Sequence, residues 1–504
     1  MVNETSSKED FEKLQPLPQG WVWTNLGDLT FIQNGYAFKS YDYKKNGIPL
    51  LRISNIENHQ VNFDENSVFL DECYKNDFQY FLVGKGDIVI ALSGATTGKY
   101  GIYKNDYFAL LNQRVGRIVF FSPLLIDPLY IQFYMEILRA NILKKAYGMA
   151  QPNISTAEIA EFYISLPPLS EQHRIVARIE ELFTQLDAGV ASLLKAQAQL
   201  KRYRQAVLKA AFEGRLTQEW REEHKGKIEN FRDYLKKNWE TYHKGKKFKF
   251  IDSSELPKIP EAWNWLSFEQ VSQRVVVGHV GPIKHEYIEN GVPFLRSQNV
   301  RENRFDPTGL KFISTEFHKK LKKSSLIPND VLIIRSGSIG ISCVVPENIK
   351  EANCCDLTVV KQPFGILPKL AAYYMNSIAQ RRVHAQKVGV ALIHFNTKVL
   401  ASMPIPIPPI EEQKIILAEI ERYLSIAEKV EFSIETSLRQ ADSLRQSILK
   451  RAFEGKLVPQ NPNDEPASVL LERIKAEKAR HQTEAKKVKN TQRKPRSRKL
   501  AHAN

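Results

Sequence analysis

Pro167-Pro-Leu-Ser-Glu171-Gln172 opens a stretch that closes at Leu208-Lys-Ala-Ala-Phe212-Glu-Gly214, and the same frame returns as Pro408-Pro-Ile-Glu-Glu412-Gln413 through Leu449-Lys-Arg-Ala-Phe453-Glu-Gly455. Both ends recur 241 positions on, so the proline-to-phenylalanine distance is 45 in each copy, with no insertion. In the first copy apolar residues fall every seventh position, at Ile179, Leu186, Leu193, Leu200 and Val207, and Leu182, Gly189, Ala196, Tyr203 and Ala210 stand three places after each. The second carries Ile420, Ala427, Ile434, Ala441 and Ile448, with Tyr423, Val430, Ser437 and Leu444. A heptad seam between a proline start and a glycine stop predicts a coiled-coil helix in each copy. At ~1.5 Å per residue each helix reaches ~65 Å. So narrow an apolar stripe needs a partner, and the nearest is the other copy. The first helix leads away from the unit before it and the second must return, which makes the pair antiparallel and puts the two globular units at opposite ends, about an approximate two-fold axis.

Outward from these helices the second half restates the first. Pro18-Gln-Gly-Trp21-Val-Trp23 returns as Pro260-Glu-Ala-Trp263-Asn-Trp265, and Gly47-Ile-Pro-Leu-Leu-Arg52-Ile-Ser-Asn55 as Gly291-Val-Pro-Phe-Leu-Arg296-Ser-Gln-Asn299. Asp87-Ile-Val-Ile-Ala-Leu-Ser93-Gly94 echoes Asp330-Val-Leu-Ile-Ile-Arg335-Ser336-Gly337, both apolar runs ending in a Ser-Gly turn. A helix begun near Pro128 is matched by one near Pro368, and Ser155-Thr-Ala-Glu158 fits a capping box. Upstream offsets drift between 240 and 244, so loops there have changed length. The alternating tryptophans read as core anchors on strands.

The chain has 504 residues, a net charge of +16, 43% hydrophobic and 25% charged residues and four cysteines, which excludes wholesale disorder, collagen and a disulfide scaffold. No apolar run reaches the ~18 residues of a membrane span and the N-terminus lacks an apolar signal core, so a cytoplasmic protein without membrane contact is expected. From Arg473 to Asn504, twelve Lys and Arg face only Glu477 and Glu484, which places ten of the sixteen positive charges in a tail of the solvated kind. Such a tail attracts phosphate without reading sequence.

No catalytic signature accompanies this length. Gly94-Ala-Thr-Thr-Gly98-Lys99 has three residues between its glycines where a P-loop has four, and Tyr100 stands where Ser or Thr is required. No HExxH, strand-linked GxGxxG or His/Cys ligand cluster occurs, so neither catalytic nor metal residues are assigned. Recognition is the remaining reading. Its carriers are the loops where the repeat keeps its framework and changes its chemistry: Ser93, Thr96, Thr97 and Lys99 in one half, Arg335, Ser336 and Ser338 in the other. Arginine grips guanine O6 and N7 bidentately, and hydroxyls serve several bases or phosphates. Arg52 and Asn55, matched by Arg296 and Asn299, either act likewise or stabilise a turn after a buried strand; Arg114 and Gln298 complete the candidates.

Two variable units opening on Pro-x-x-Trp-x-Trp, two segments running from Pro-Pro-Leu/Ile-x-Glu-Gln to Phe-Glu-Gly-Arg/Lys-Leu, and a basic C-terminus resemble the specificity subunit of type I restriction-modification systems. The resemblance implies an α+β protein with two similar target recognition domains separated by a long antiparallel two-helix coiled coil, with pseudo-two-fold repeat. Residues 1–166 and 256–407 are then the recognition domains, 167–216 and 408–456 the coiled-coil segments, 217–255 a charged, helical, solvated linker, and 457–504 a C-terminal helix and basic tail. It further implies a non-catalytic reader of an interrupted double-stranded DNA target. Two modification subunits carrying S-adenosylmethionine, and restriction/translocase subunits using ATP and Mg, dock on it, and the chain itself holds no cofactor. A scaffold that tethers DNA without sequence specificity is the competing class; a self-contained methyltransferase lacks its cofactor and Asn/Asp-Pro-Pro-aromatic motifs. In the ruler that the helix pair would form, ~65 Å spans at most ~19 base pairs. Deleting one heptad, Leu186 to Ser192, from one helix should disrupt register; removing matched heptads from both should shorten the unread spacer in a methylation map, and an unchanged spacer would refute the ruler.

Overall fold

The computed structural model describes residues 15–57, 59–94, 97–146, 153–225, 231–379 and 396–492. Thr96, His384, the loop stretches 148–152 and 389–395, and the tail from Arg493 onward lie outside the described residues. The chain forms two compact units, Met1–Ala191 with Leu438–Asn504, and Ser192–Ser437. Each unit therefore contains part of both long helices, Leu169–Phe212 and Ile410–Phe453.

In the first unit, Val22–Asn25 pairs antiparallel with Tyr163–Leu166, so the strand that follows the N-terminal prolines is closed by the strand that feeds the first long helix. One sheet runs in the order Phe69–Leu70, Ile48–Leu51, Ala109–Leu111, Leu82–Val83. A second runs Thr30–Asn34, Val115–Phe120, Ile88–Ala91, Tyr100–Ile102, Gln60–Val61, Ile56–Glu57. The strands Ile48–Leu51 and Ile88–Ala91 are buried at every position, as their unbroken apolar runs require. Helix Pro128–Ala146 buries Tyr130, Ile131, Tyr134, Met135, Leu138 and Ile142. Ser155 caps helix Thr156–Ala160, accepting from the Glu158 N–H while the Glu158 carboxylate accepts from the Ser155 N–H.

The second unit repeats the scheme. Asn264–Ser267 pairs with Pro404–Ile407. The sheet Ser272–Val277, Leu357–Pro363, Val331–Ile334, Ser342–Val344 stands beside the sheet Tyr287–Ile288, Lys311–Ile313, Val292–Leu295, Asn353–Cys354. The linker is helical at Gln218–Glu223 and Phe231–Tyr242, but it is not wholly solvated. Leu235 is buried in this unit's core, and Trp239 stacks on His243, whose Nε2 lies 3.0 Å from the Ser272 carbonyl oxygen. A helix period in its apolar and aromatic residues outweighs its high lysine content.

Within each unit the long helices run antiparallel. In the first, Arg445 bonds to Asp187 and lies over the Phe183 ring, while Phe453 sits against Tyr130 and Tyr134, nearer the start of the first helix. In the second, Arg204 donates to Glu431 at 2.6 Å and Thr217 to Glu412 at 2.7 Å. The seam residues Ile179, Val207, Ile420, Ile434 and Ile448 are buried, and Leu186, Leu193 and Leu200 half-buried. The second set of heptad positions is less covered: Gly189, Tyr203, Val430 and Leu444 are exposed, because a pair of helices shields mainly the row facing its partner.

Both helices end on a left-handed glycine, Gly214 at φ +74° and Gly455 at φ +68°. A Cβ there would strike Pro260 and Pro18 respectively, so the stop of each helix rests on the proline that opens a unit. The matching starts are equally alike. Trp21 Nε1–H donates to Glu171 at 3.0 Å and Trp263 Nε1–H to Glu412 at 2.8 Å, with both carboxylates buried. Gln172 accepts from the Asp127 N–H and Gln413 from the Leu367 N–H, and each donates to the carbonyl of its own proline, Pro167 or Pro408. The copies differ in what faces the carboxylate: Arg221 for Glu412, the neutral amide of Gln460 for Glu171.

That difference sets opposite outcomes. Burial is the main cause that raises Glu171 above its usual 4.5. Its protonated form is favoured in the fold, so its stabilising contribution is complete below about pH 4.5 and is lost as pH rises through the folded value. Glu171→Gln should change urea stability by less than about 1 kcal/mol at pH 7 and remove that acid-side gain. Glu412→Gln removes the counter-ion of Arg221, which keeps only its bonds to the Thr217 hydroxyl and the Gly214 carbonyl, and should cost about 3–5 kcal/mol in the same measurement.

Candidate nucleic-acid interface

Parallel strands in each unit deliver their ends to one edge. In the first unit Ile48–Leu51 lies parallel to Ala109–Leu111, and the Asn112 N–H donates to the Leu51 carbonyl at 3.1 Å. Arg52 follows one strand and the turn Asn112-Gln113-Arg114 the other. The neighbouring strand Ile88–Ala91 runs out into Leu92-Ser93-Gly94, with the Leu92 N–H on the Arg114 carbonyl at 3.0 Å. Arg52, Ser93 and Arg114 are thereby brought together, and Ser93 also bridges to Asn153. The Arg114 side chain is exposed and that of Arg52 half-exposed, and among the described residues neither guanidinium has a hydrogen-bond or ion-pair partner.

The same framework in the second unit carries a different arrangement. Val292–Leu295 lies parallel to Asn353–Cys354, and the Cys355 N–H donates to the Leu295 carbonyl at 3.1 Å. Arg296 follows, donating to the Gly309 carbonyl at 2.7 Å and standing 5.8 Å from the Tyr287 ring centre. Gln298, exposed, reaches the same carbonyl at 3.3 Å. From Val331–Ile334 emerge Arg335, whose Nε is 3.4 Å from an Asp356 oxygen, and Ser336, whose hydroxyl donates to Asp356. Ser338 is exposed at the loop tip. Asp356, which sets the orientation of both Arg335 and Ser336, was not among the sequence candidates. Its signal was faint: a lone acid at φ +52° between a cysteine pair and a buried strand, matched in the first half by Gln113.

Three candidates serve the loops themselves. Asn55 is buried, accepts from the Arg52 N–H at 3.0 Å and donates to the Asn62 carbonyl and the Ser67 hydroxyl. Asn299, wholly buried, accepts from the Arg296 N–H at 3.1 Å and donates to the Asp306 and Thr308 carbonyls. The repeated Arg/Asn pair thus divides its labour: the asparagine ties the turn and the arginine is presented by it. Thr97 is buried with its hydroxyl on the Gly94 carbonyl at 2.7 Å. Lys99 lines a cavity beside this loop.

The described residues hold no group of three His, Cys, Asp or Glu placed to bind a metal ion, and no helix long and apolar enough to cross a membrane. Burial pushes the Cys355 thiol up to about 11 and that of Cys343 up to about 12, which leaves both protonated and unreactive at neutral pH. The site's chemistry is that of hydrogen-bond donors on rigid strand ends.

Residues 18–196 and 279–436 match the family model described as the type I restriction modification DNA specificity domain. The chain is 27% identical over 501 residues to the type I restriction enzyme EcoBI specificity subunit of Escherichia coli, covering 95% of this chain and 98% of that one. It is 25% identical over 495 residues to the StySPI specificity subunit of Salmonella potsdam, covering 92% and 96%. Among solved structures, one described under complex assembly and conformational transition of the type I R-M system has a TM-score of 0.62 at 18% identity, covering 88% of this chain and 100% of that chain. The HsdS subunit from Thermoanaerobacter tengcongensis has 0.52 at 18% identity, covering 88% and 99%. At these identities the structures speak for the fold.

Turn-making and presenting residues should separate in stability measurements. Asn299→Ala leaves an N–H and two carbonyls of the turn without their partner and should cost about 1–3 kcal/mol in urea unfolding. Arg114→Ala, at an exposed turn, should stay within about 0.5 kcal/mol.

Proposed function

Because the chain belongs to the type I restriction modification DNA specificity family, we propose that each α+β unit reads one half of an interrupted double-stranded DNA target through its strand-end loops. The observation that carries this is the pair of matched loop edges, built on the same strands and different in side chains: Arg52 and Arg114, without partners among the described residues, in one unit, Arg296 and an Asp356-held Arg335–Ser336 pair in the other. Different side chains at matched loop positions read different base edges, so two such units specify two unlike half-sites. Arg52, Ser93 and Arg114 are the readers in the first unit, and Arg296, Gln298, Arg335, Ser336 and Ser338 in the second.

The chain itself supplies no chemistry in this reading and binds no cofactor. Two modification subunits with S-adenosylmethionine, and restriction/translocase subunits with ATP and Mg, dock on it and act at the site it selects, in the cytoplasm. The helical C-terminal segment Ala467–Gln492, with its run of lysines, adds attraction for phosphate that carries no sequence information.

Arg114→Ala in the assembled modification complex should weaken binding of the cognate duplex by about 1–3 kcal/mol and relax methylation at one position of one half-site, leaving the other half unchanged. Genome-wide mapping of methylated positions reads this directly. Equal affinity of the parent complex for target and scrambled duplex under excess competitor DNA would instead identify a tethering scaffold without sequence specificity.

A further inference from the structure

Strand Tyr100–Ile102 of the first unit and strand Ser342–Val344 of the second occupy the same place in the repeat, each antiparallel to the apolar strand that precedes the reading loop. Around them the two units have made opposite choices. In the second, Asn376 Oδ1 accepts from the Ser342 N–H at 2.9 Å, and its Nδ2 donates to the Ser342 carbonyl at 2.8 Å and to Asn303 Oδ1 at 2.7 Å. Ser342 and Asn376 are buried, Asn303 is exposed, and the network is neutral; the cavity that Asn303 borders has Lys369 already paired with Glu421. The residue preceding the strand is Ile341.

In the first unit the corresponding residues are Tyr100, Glu136 and His59, with Lys99 preceding the strand. The equivalence of His59 and Asn303 is marked in the backbone, since both hold a left-handed conformation, at φ +60° and +59°. The Tyr100 hydroxyl donates to Glu136, and His59 Nδ1 lies 3.4 Å from the same carboxylate oxygen. In place of that neutral network there is an open cavity of about 320 Å³, lined by Ile56, Glu57, His59, Lys99, Tyr100 and Arg139. Arg139, one turn along its helix from Glu136, corresponds to Ala379 in the repeat. Its Nε is shielded from solvent without a hydrogen-bond partner, and among the described residues neither Arg139 nor Lys99 has an ion-pair partner. Glu57 is exposed at the rim, and Glu136 is already engaged by Tyr100.

We propose that this cavity is a phosphate site peculiar to the first unit, in which Lys99 and Arg139 hold a phosphodiester of the DNA backbone beside the half-site that unit reads. A cavity with two cations unpaired among the described residues and a guanidinium Nε awaiting an acceptor fits a tetrahedral oxyanion, and its place next to the Ser93-Gly94 loop puts the oxyanion beside the bases that loop would contact. The inference rests on the DNA-reading function above. It makes the two units unequal in how they grip DNA, independently of which bases they read.

The test is equilibrium binding of the assembled modification complex to target and scrambled duplexes over a series of KCl concentrations. Lys99→Gln and Arg139→Ala should each flatten the plot of log Kd against log salt by about 1 and weaken both duplexes alike, so that the preference for target is kept. Ile341→Ala, at the matching place in the second unit, should leave the slope as it is. Methylphosphonate linkages walked through the first half-site should reproduce the loss at one position and add nothing to Arg139→Ala. Titration of the full chain with inorganic phosphate separates the sources. Phosphate binding abolished in both variants with unchanged DNA slopes would assign the cavity to free phosphate and overturn the backbone contact; unchanged slopes with no phosphate binding would overturn the site altogether. Absence of target preference in the parent complex would count against the function, not the cavity, because the slopes remain measurable on any duplex.

Discussion

A tryptophan indole donating to a buried carboxylate at the first turn of a long helix is the contact on which the rest of each unit depends. Trp21 and Glu171, and Trp263 and Glu412, fix the opening strand of a unit to the start of its own long helix. The glycine that ends the other long helix then packs on the proline three residues before that tryptophan. A unit is thus closed by the start of one helix and the stop of the other. This explains why these two ends keep constant spacing while the loops upstream drift: a one-residue change would rotate the carboxylate or the glycine about 100° around its helix and away from its partner.

The helices, their direction and the tandem organisation were legible in the sequence because they rest on periodicity and on chain order. Seven-residue spacing survives in the letters, and an antiparallel pair is the arrangement the order of segments allows. The paired arginine-asparagine motif was legible as a motif and ambiguous as chemistry. Which member ties the turn depends on carbonyls at Asn62, Asp306 and Thr308, residues no spacing rule connects to it. Asp356 was missed for the same reason: its effect on Arg335 and Ser336 comes from a strand crossing about twenty positions later in the chain. The linker misled through composition, since its lysines announce solvent while Leu235, Trp239 and His243 are buried.

Duplication followed by divergence has kept matching strands and helices in the two units and let the electrostatics separate. At the helix starts one copy answers a buried glutamate with Arg221 and the other with Gln460. Beside the reading loops one copy has a neutral asparagine–serine network and the other a cation-lined cavity. The helix starts satisfy the buried carboxylate by different means and the cavity leaves the Arg139 Nε without a partner, which is how one scaffold comes to present two unlike surfaces.

The order of closure also bears on biosynthesis. Residues 192–437 form one unit from an unbroken stretch of chain, whereas the other needs both Met1–Ala191 and Leu438–Asn504, with the Ala467 N–H on the Gly20 carbonyl and Lys478 on Asp28. On a ribosome adding about 5–20 residues per second, the segment made first waits longest. Its apolar surfaces for Phe453 and Leu470 stay open until those residues are made, while the middle unit, begun later, is finished earlier. Termination between Ser437 and Phe453 would therefore orphan the N-terminal segment and spare the middle unit, and of the two it is the earlier-made segment that has more need of a chaperone.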